Sequence, residues 1–338
     1  MATMKDIAKA VGVSMTTVSN VIHGNYDRVS PQTVKRIQDA IERMHYVPNM
    51  SARALVSHSP HIIAYIDTHS PQETYAGNGF AGVLLCGIEN IVTKHGYFMM
   101  MRRGTDESTL RMMLNTWNPD GVIFKDCVPH SLVLFVKSLG KPCVTINTYL
   151  DDPDLIQVRA ADYEGGKLAT NHLLSLGHRD ILFIGAVGCG FKNNDQRYKG
   201  HCDALIEAGI EPNPDNLIDT LHPFSADRAI ATGRQLASRS GFTAICVSGD
   251  QYAVAIMAGL REAGVRIPQD VSIVGFDDVD IARMSNPPLT TIRQDGIGKG
   301  ERAAEALFAL IEGQAPDPAD FTLPVELVIR STTARART

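Results

Sequence analysis

Residues 4–24 read MKDIAKAVGVSMTTVSNVIHG, and the spacing within this stretch decides the N-terminal fold. Ile7, Ala8 and Val11 share one face of a helix that runs from about Met4 to Val11 behind a Thr3 cap, and Gly12 breaks it. Ser14 is placed to cap a second helix, Met15 to Ile22. Its inward positions are Val18, Val21 and Ile22, which leaves Met15, Thr16, Thr17, Ser19 and Asn20 facing out. Two short helices around a glycine-containing turn form a helix-turn-helix. A third helix opens with the cap-and-proline pair Ser30-Pro31 and repeats apolar residues at Val34, Ile37, Ile41 and Met44, closing a small core.

An outward face of Met, Thr, Thr, Ser and Asn carries no acid to repel phosphate, and Asn can pair bidentately with adenine in a major groove. An ordinary solvated face would carry Glu and Lys instead. Charge agrees. Residues 1–60 hold seven Lys/Arg against four Asp/Glu, a net of +3, so the rest of a chain whose total is -5 carries -8. A basic head on an acidic body suits a head that approaches phosphate and a body that does not.

The following segment, YVPNMSARALVSHSP (46–60), offers barely two helical turns after Pro48, too short to be stable alone in water. It reads as a linker that orders on meeting DNA and a second copy. Leu55 at its end is an exposed apolar residue in a basic context, the kind of side chain that wedges between base steps from the minor groove.

MKDIAKAVGVSMTTVSNVIHG (4–24), VSPQTVKRIQDAIERMHYVPN (29–49) and SARAL (51–55) together closely resemble the headpiece of the lactose-repressor/galactose-repressor (LacI/GalR) family of transcription regulators. The resemblance implies that Met15, Thr16 and Asn20 read bases and that Ser14, Thr17, Ser19 and Asn25 contact phosphate. It also implies that Asn49, Ala52 and Leu55 form a minor-groove hinge. Asn20 stands where many members have Arg, which moves the expected base preference from guanine toward adenine.

Beyond Pro60 the chain alternates strand-like and helical runs. HIIAYID (61–67) precedes a helix from Phe80 to Lys94; YFMMM (97–101), a helix from Glu107 to Leu114, GVIF (121–124) and CVTI (143–146) follow. The pattern continues with a helix from Tyr163 to Leu176, DILFIG (180–185), a helix near Arg197 to Ala208, TAICV (243–247), a helix from Tyr252 to Ala263 and DVSIVGF (270–276). Repeated βα units predict two parallel-sheet lobes, and ligands in such folds sit outside the carboxyl ends of the strands. LLSLGHRDILFIG (173–185), DVSIVGFDDVDIAR (270–283), PPLTTIRQ (287–294) and PVELVIRSTT (324–333) extend the family resemblance across the body. What it implies is a fold like that of periplasmic sugar-binding proteins, a homodimer, and operator affinity set allosterically by an effector.

The expected fold class is therefore a small all-α helix-turn-helix headpiece on an α/β periplasmic-binding-protein-like body of two parallel-sheet lobes. The expected domains are a headpiece at 1–47, a hinge helix and linker at 48–60, and an effector-binding and dimerisation body at 61–338. Within the body, one lobe takes approximately 61–160 with 293–320 and the other 161–292 with 321–335. By resemblance Arg197 and Asp277 line the effector cleft and Phe224 forms an aromatic wall, with Asn147 and Phe80 as further candidates. The donor fork of Arg, the acceptors of Asp and an aromatic face suit a sugar. Phe191, in the loop GCGFKNN (188–194), stands where a purine-responsive relative has Arg, which argues against a purine. Gly249 replaces a polar residue of some sugar-responsive members, leaving the particular sugar open. A nucleoside or other non-sugar molecule is the alternative effector. No leucine heptad follows Arg330, which favours a dimer over a tetramer.

Gly77-Asn78-Gly79-Phe80-Ala81-Gly82 imitates a dinucleotide fingerprint, with Arg102 and Arg103 available for a 2′-phosphate, but about ten residues separate it from the strand ending at Asp67. A fingerprint must follow its strand directly for the helix start to cradle a pyrophosphate. HExxH, GxSxG and Walker patterns are lacking, so neither catalysis, a cofactor nor a metal is expected. The six cysteines are widely spaced and read as reduced thiols. No run approaches about 18 apolar residues, and the charged start MATMKDIAKAV is unlike a signal peptide, so no membrane partner and a cytoplasmic location are expected.

Overall fold

A computed structural model describes residues 2–22, 24–46, 59–68, 79–104, 106–219, 224–314, 316 and 320–337. The chain separates into two compact units, Met1–Pro60 and His61–Thr338. The expected hinge residues Asn49, Ala52 and Leu55 lie outside the described residues, as do Gly77 and Asn78 of the glycine motif.

In the first unit α1 (Met4–Val11), α2 (Met15–Ile22) and α3 (Pro31–Arg43) surround a core of Ile7, Ala8, Val11, Val18, Val21, Ile37 and Ala40. Capping sets the helix starts. Thr3 and Asp6 form a reciprocal capping box, Ser14 Oγ accepts from Thr17 N at 3.0 Å, and Ser30 accepts from Thr33 N ahead of Pro31; each cap satisfies an orphan helix donor. Gly12, at φ 73°, takes the left-handed conformation that ends α1.

The second unit contains two six-stranded sheets. The first has the order β11-β5-β4-β3-β1-β2, from β1 (Ile62–Asp67), β2 (Phe98–Arg103), β3 (Gly121–Lys125), β4 (Cys143–Ile146), β5 (Ile156–Ala160) and β11 (Asp320–Leu323). All its neighbours are parallel. The second has the order β12-β10-β9-β8-β6-β7, from β6 (Ile181–Ile184), β7 (Leu217–Ile218), β8 (Ala244–Val247), β9 (Ser272–Asp277), β10 (Thr290–Gln294) and β12 (Val325–Val328). Only β12, antiparallel to β10, departs from parallel pairing. Ile63, Ala64, Tyr65 and Ile66 in succession are fully buried, because helices cover both faces of a parallel sheet. Each lobe has one apolar cluster per face.

The helices of the first lobe are α4 (Gly79–Lys94), α5 (Glu107–Trp117), α6 (His130–Ser138) and, from late in the chain, α12 (Gly296–Ile311). Those of the second are α7 (Asp162–Ser175), α8 (Lys192–Glu207), α9 (Ala226–Leu236), α10 (Asp250–Glu262) and the short α11 (Asp280–Met284). The chain passes between lobes after β5, after β10 and at Pro324 between β11 and β12. β10 thus belongs to the second sheet through Gln294 and β11 to the first through Leu323, a few residues away from the boundaries expected at 293 and 320. Register explains this: Asp320–Leu323 pairs with Gln157–Ala160, and Pro324, with no N–H for the ladder, marks the change of sheet. The helix expected near Arg197 starts five residues earlier, at Lys192.

Two close helix contacts position functional side chains. A Cβ on Gly166 of α7 would collide with the carbonyl of Arg197, and one on Gly200 of α8 with the carbonyl of Tyr163. Likewise Gly87 of α4 admits the carbonyl of Ile297, and Gly300 of α12 the carbonyl of Leu84. Only glycine permits backbones this near.

Candidate functional site

Between the two lobes lies a cavity of about 110 Å³ lined by Phe80, Lys125, Asp126, Asn147, Phe191, Asn193, Asn194, Arg197, Ser248, Gly249, Gln251, Tyr252, Asp277, Val279 and Gln294. Asp67, Lys125, Asp277 and Gln294 end their strands, and Asp126, Asn147 and Ser248 directly follow theirs. That is the carboxyl edge of both sheets, where open α/β folds bind ligands. Asp126, Asn147, Asp277 and Asp278 all have positive φ (62°, 57°, 116° and 56°). The chain accepts this sparsely populated geometry at the strand ends, beside the cavity.

The turn after β9 is braced from behind. Buried Asp250 accepts from Val279 N at 3.1 Å and from Thr291 Oγ1 at 2.6 Å. Burial and the neighbouring charge of Asp277 push the Asp250 carboxyl well above the usual range. Asp278 is held by Arg293 at 2.7 Å and by Arg330.

Polar groups of the cleft satisfy one another in a continuous chain. Arg197, brought in by the Gly166–Gly200 contact, donates from Nε to Asp162 Oδ1 at 2.9 Å and from Nη1 to Ser248 O at 2.6 Å. Nη1 lies 4.0 Å from Asp277 Oδ1, and the guanidinium covers the Phe276 ring at 3.6 Å. Tyr149 donates to the other oxygen of Asp162 at 2.8 Å. Gln294 Nε2 donates to Asp277 Oδ1 at 2.6 Å, and Lys299 Nζ donates to Gln294 Oε1 at 2.6 Å and to Asn147 Oδ1 at 3.0 Å. Asn147 Nδ2 donates to Asp126 Oδ1 at 3.0 Å, and Lys125 pairs with Asp126 and with Asp67.

Burial dominates the electrostatics. It lifts the Asp277 carboxyl to about 6 against the opposing pull of Arg197, and it lowers the Lys299 ammonium to about 8. Asn193 Oδ1 is buried with no hydrogen-bond partner among the described residues, leaving an acceptor at the cavity wall. Phe80, Phe191 and Tyr252 supply aromatic surface.

Four of the five residues expected in the cleft line it: Arg197, Asp277, Asn147 and Phe80. Phe224 does not. It packs edge-on against Tyr252, with ring centroids 4.7 Å apart, and Tyr252 is the ring that reaches the cavity. Sequence reasoning missed Lys125, Asp126, Gln251, Tyr252, Gln294 and Lys299. Lys125, Asp126 and Gln294 stand at a strand end or directly after one; charged and amide residues closing apolar runs, such as GVIFKD (121–126) and LTTIRQ (289–294), were the available signal, and Gln251, Tyr252 and Lys299, on helices, carried none.

On the headpiece, Met15 and Thr16 are exposed, while Thr17, Ser19 and Asn20 are half-buried. Ser14 and Asn25 are exposed beside them. The second helix has neither acid in its first turn nor base in its last, so its outer face offers hydroxyl and amide groups beside the exposed Met15. Among the described residues no His/Cys/Asp/Glu cluster could hold a metal, the six cysteines are free, and no helix is long and apolar enough to cross a membrane.

Comparison with known proteins places these features. Residues 3–49 match the model for bacterial regulatory proteins of the lacI family, and residues 170–333 match a periplasmic binding protein-like domain. The chain is 32% identical over 344 residues to the HTH-type transcriptional repressor PurR of Aliivibrio fischeri, covering 98% of both chains. It is 31% identical over 340 residues to the regulator CelR of Thermobifida fusca, covering 97% of both. Among solved structures, a lac repressor dimer bound to operator and the anti-inducer ONPF superposes with a TM-score of 0.84 at 25% identity, covering 98% of this chain and 99% of that one. A CelR–cellobiose complex gives 0.74 at 27%, covering 98% and 100%. A ribose-bound regulator from Enterococcus faecium gives 0.71 at 27%, covering 81% and 100%.

Proposed function

The chain belongs to the LacI family of bacterial regulatory proteins and is a DNA-binding transcription repressor rather than an enzyme; from that premise we propose that its inter-lobe cleft senses a neutral sugar of one ring. The observation that carries this reading is the internal compensation of the cleft. Lys125 is matched by Asp126 and Asp67, and Arg197 by Asp162, so the wall presents fixed donors and acceptors rather than a field of one sign. A neutral polyol exchanges hydrogen bonds with such a wall, whereas a charged ligand would be desolvated without a counter-ion. A site of about 110 Å³, at about 10–15 Å³ for each water-sized occupant, suits the ring and hydroxyls of a monosaccharide. Phe80, Phe191 and Tyr252 offer aromatic faces to its C–H surface.

In this reading two copies associate through the body, and their headpieces read half-sites of a near-palindrome through Met15, Thr16 and Asn20. Ser14, Thr17, Ser19 and Asn25 contact phosphate, and Asn49, Ala52 and Leu55 act at the minor groove between the half-sites. Support for a homodimer comes from apolar side chains left in solvent: Phe98 and Met101 on the edge strand β2, Met112 and Trp117 on α5, and Met284 on α11. Sugar binding shifts operator affinity in so far as it favours one lobe arrangement over another. The genes controlled would serve carbohydrate uptake or catabolism, and the protein would work in the cytoplasm beside its DNA.

Isothermal titration against D-ribose, D-glucose, cellobiose, glucose 6-phosphate, glucuronate and adenosine tests the ligand class. Binding of a neutral monosaccharide in preference to the rest is the expected result. Preference for the nucleoside or for a charged sugar overturns the neutral-sugar assignment and leaves the family standing. Selection of random duplex DNA by the purified protein, at physiological salt, should return a near-palindromic site.

A further inference from the structure

Lys299 is fully buried in the first turn of α12, where the neighbouring Gly300 holds the helix hard against α4. Its ammonium donates to the side-chain oxygens of Asn147, at 3.0 Å, and Gln294, at 2.6 Å. Both acceptors are neutral amides. Asn147 follows β4 of the first lobe, and Gln294 ends β10 of the second, immediately before the chain crosses over. Phe80 faces the same ammonium, its ring centroid 5.2 Å away. A buried ammonium whose hydrogen bonds go to amides rather than directly to a carboxylate is costly, and an apolar residue of the same length would fill the space without desolvating a charge.

What the charge accomplishes is visible in the amides. By taking the oxygen end of each, Lys299 obliges the NH2 of Asn147 to face Asp126 Oδ1, at 3.0 Å, and the NH2 of Gln294 to face Asp277 Oδ1, at 2.6 Å. An amide turned over would direct oxygen at carboxylate. One cation therefore fixes the orientation of an acceptor on each lobe of the cleft.

We propose that Lys299 is the positioning residue of the effector cleft, holding Asp126 and Asp277 in the registration that lets one ligand bridge both lobes. The proposal rests on the reading of the cleft as the effector site and adds to it the residue that joins its two halves. Lys299 is not among the residues lining the cavity; it acts through Asn147 and Gln294. The charged groups that face it are Asp162, Arg197, Asp277 and Asp126. Because burial lowers its ammonium to about 8, its grip weakens as pH rises through that value.

The test compares the full-length protein with Lys299→Met in two measurements. Hydrogen exchange without ligand should be faster in the variant over residues 144–150 and 290–300 and unchanged in the other strands; unchanged exchange in both segments overturns the proposal. Titration with D-ribose and D-glucose between about pH 6.5 and 9.5 should show wild-type affinity falling above about pH 8. The variant should bind about tenfold more weakly at the low end with no such fall, and parallel pH profiles overturn the proposal. If neither sugar binds wild-type protein, the neutral-sugar reading fails and the exchange experiment decides on Lys299 by itself. Lys299→Gln, a neutral donor, provides the same comparison if the Met variant does not fold.

Discussion

The guanidinium of Arg197 lies 3.6 Å from the centre of the Phe276 ring while its Nε holds Asp162 at 2.9 Å, so one side chain is stacked, paired and directed into the cleft at once. Lysine cannot reproduce the planar fork or the stacking. Arg197→Lys should bind sugar about 10- to 100-fold more weakly by titration, with operator affinity in the absence of sugar retained. Arg197→Ala should in addition destabilise the body by about 3–5 kcal/mol in urea unfolding, because Asp162 is left buried without its counter-ion.

Gly166 and Gly200 approach the facing backbone so closely that any Cβ meets a carbonyl. Gly166→Ala and Gly200→Ala should each cost about 1–3 kcal/mol of stability, read as a lower urea midpoint. Each should also weaken sugar binding, since α7 and α8 together place Arg197. Gly82→Ala, on the same glycine-rich stretch as Phe80 but with open space around it, should leave both unchanged.

Burial holds the imidazoles of His201, His178 and His172 below their ordinary value, His201 at about 4. The folded state thus binds protons less readily than the unfolded chain, so their contribution is fully present above about pH 6.5 and is lost as pH falls toward 4. For His201 the loss is roughly 3 kcal/mol. Asp277, raised to about 6, has the opposite sign and favours folding as pH falls from 6 toward 4. His201→Asn should accordingly flatten the decline of the urea midpoint between about pH 6.5 and 4.5; an unaltered slope would remove His201 as its cause.

Asn20 is half-exposed on the outer side of the second headpiece helix. Asn20→Arg should move the preferred base at its half-site position from adenine to guanine in a selection experiment, a discrimination of about 1–3 kcal/mol. Leu55→Ala should weaken specific operator binding while leaving the melting of the body unchanged; equal operator affinity would argue against a wedge at that position.

The headpiece was legible because its information is local. Thr3, Ser14, Ser30 and Gly12 mark helix ends within four residues of the groups they satisfy, and Pro31 marks the start of the third helix. The strand cores of the body were legible as apolar runs. The cleft was legible at Arg197, Asp277, Asn147 and Phe80, and at Phe191 and Gly249 as positions bearing on the ligand, largely through family resemblance. Lys299 could not be read, since a lysine in GIGKGERAAEALF (296–308) looks like any solvated helix residue; its burial depends on Gly87 and Gly300, which bring together helices more than 200 residues apart. The exchange of roles between Phe224 and Tyr252 is likewise a tertiary matter, decided by which ring the fold turns toward the cavity.

The three passages of the chain between lobes also bear on how a nascent polypeptide becomes a working regulator. The first sheet is finished only when Asp320–Leu323 pairs with β5, and its α4 packs most extensively against the late helix α12. Non-local pairing of this kind is slow to form. During synthesis the first sixty residues can complete their core as soon as they emerge, whereas the sensing body must wait for Asp320–Leu323 and Val325–Val328. A chain cut before Asp320 would carry a finished reading head on an unfinished sensor, and this architecture makes the arrival of β11 and β12 the step at which regulation is acquired.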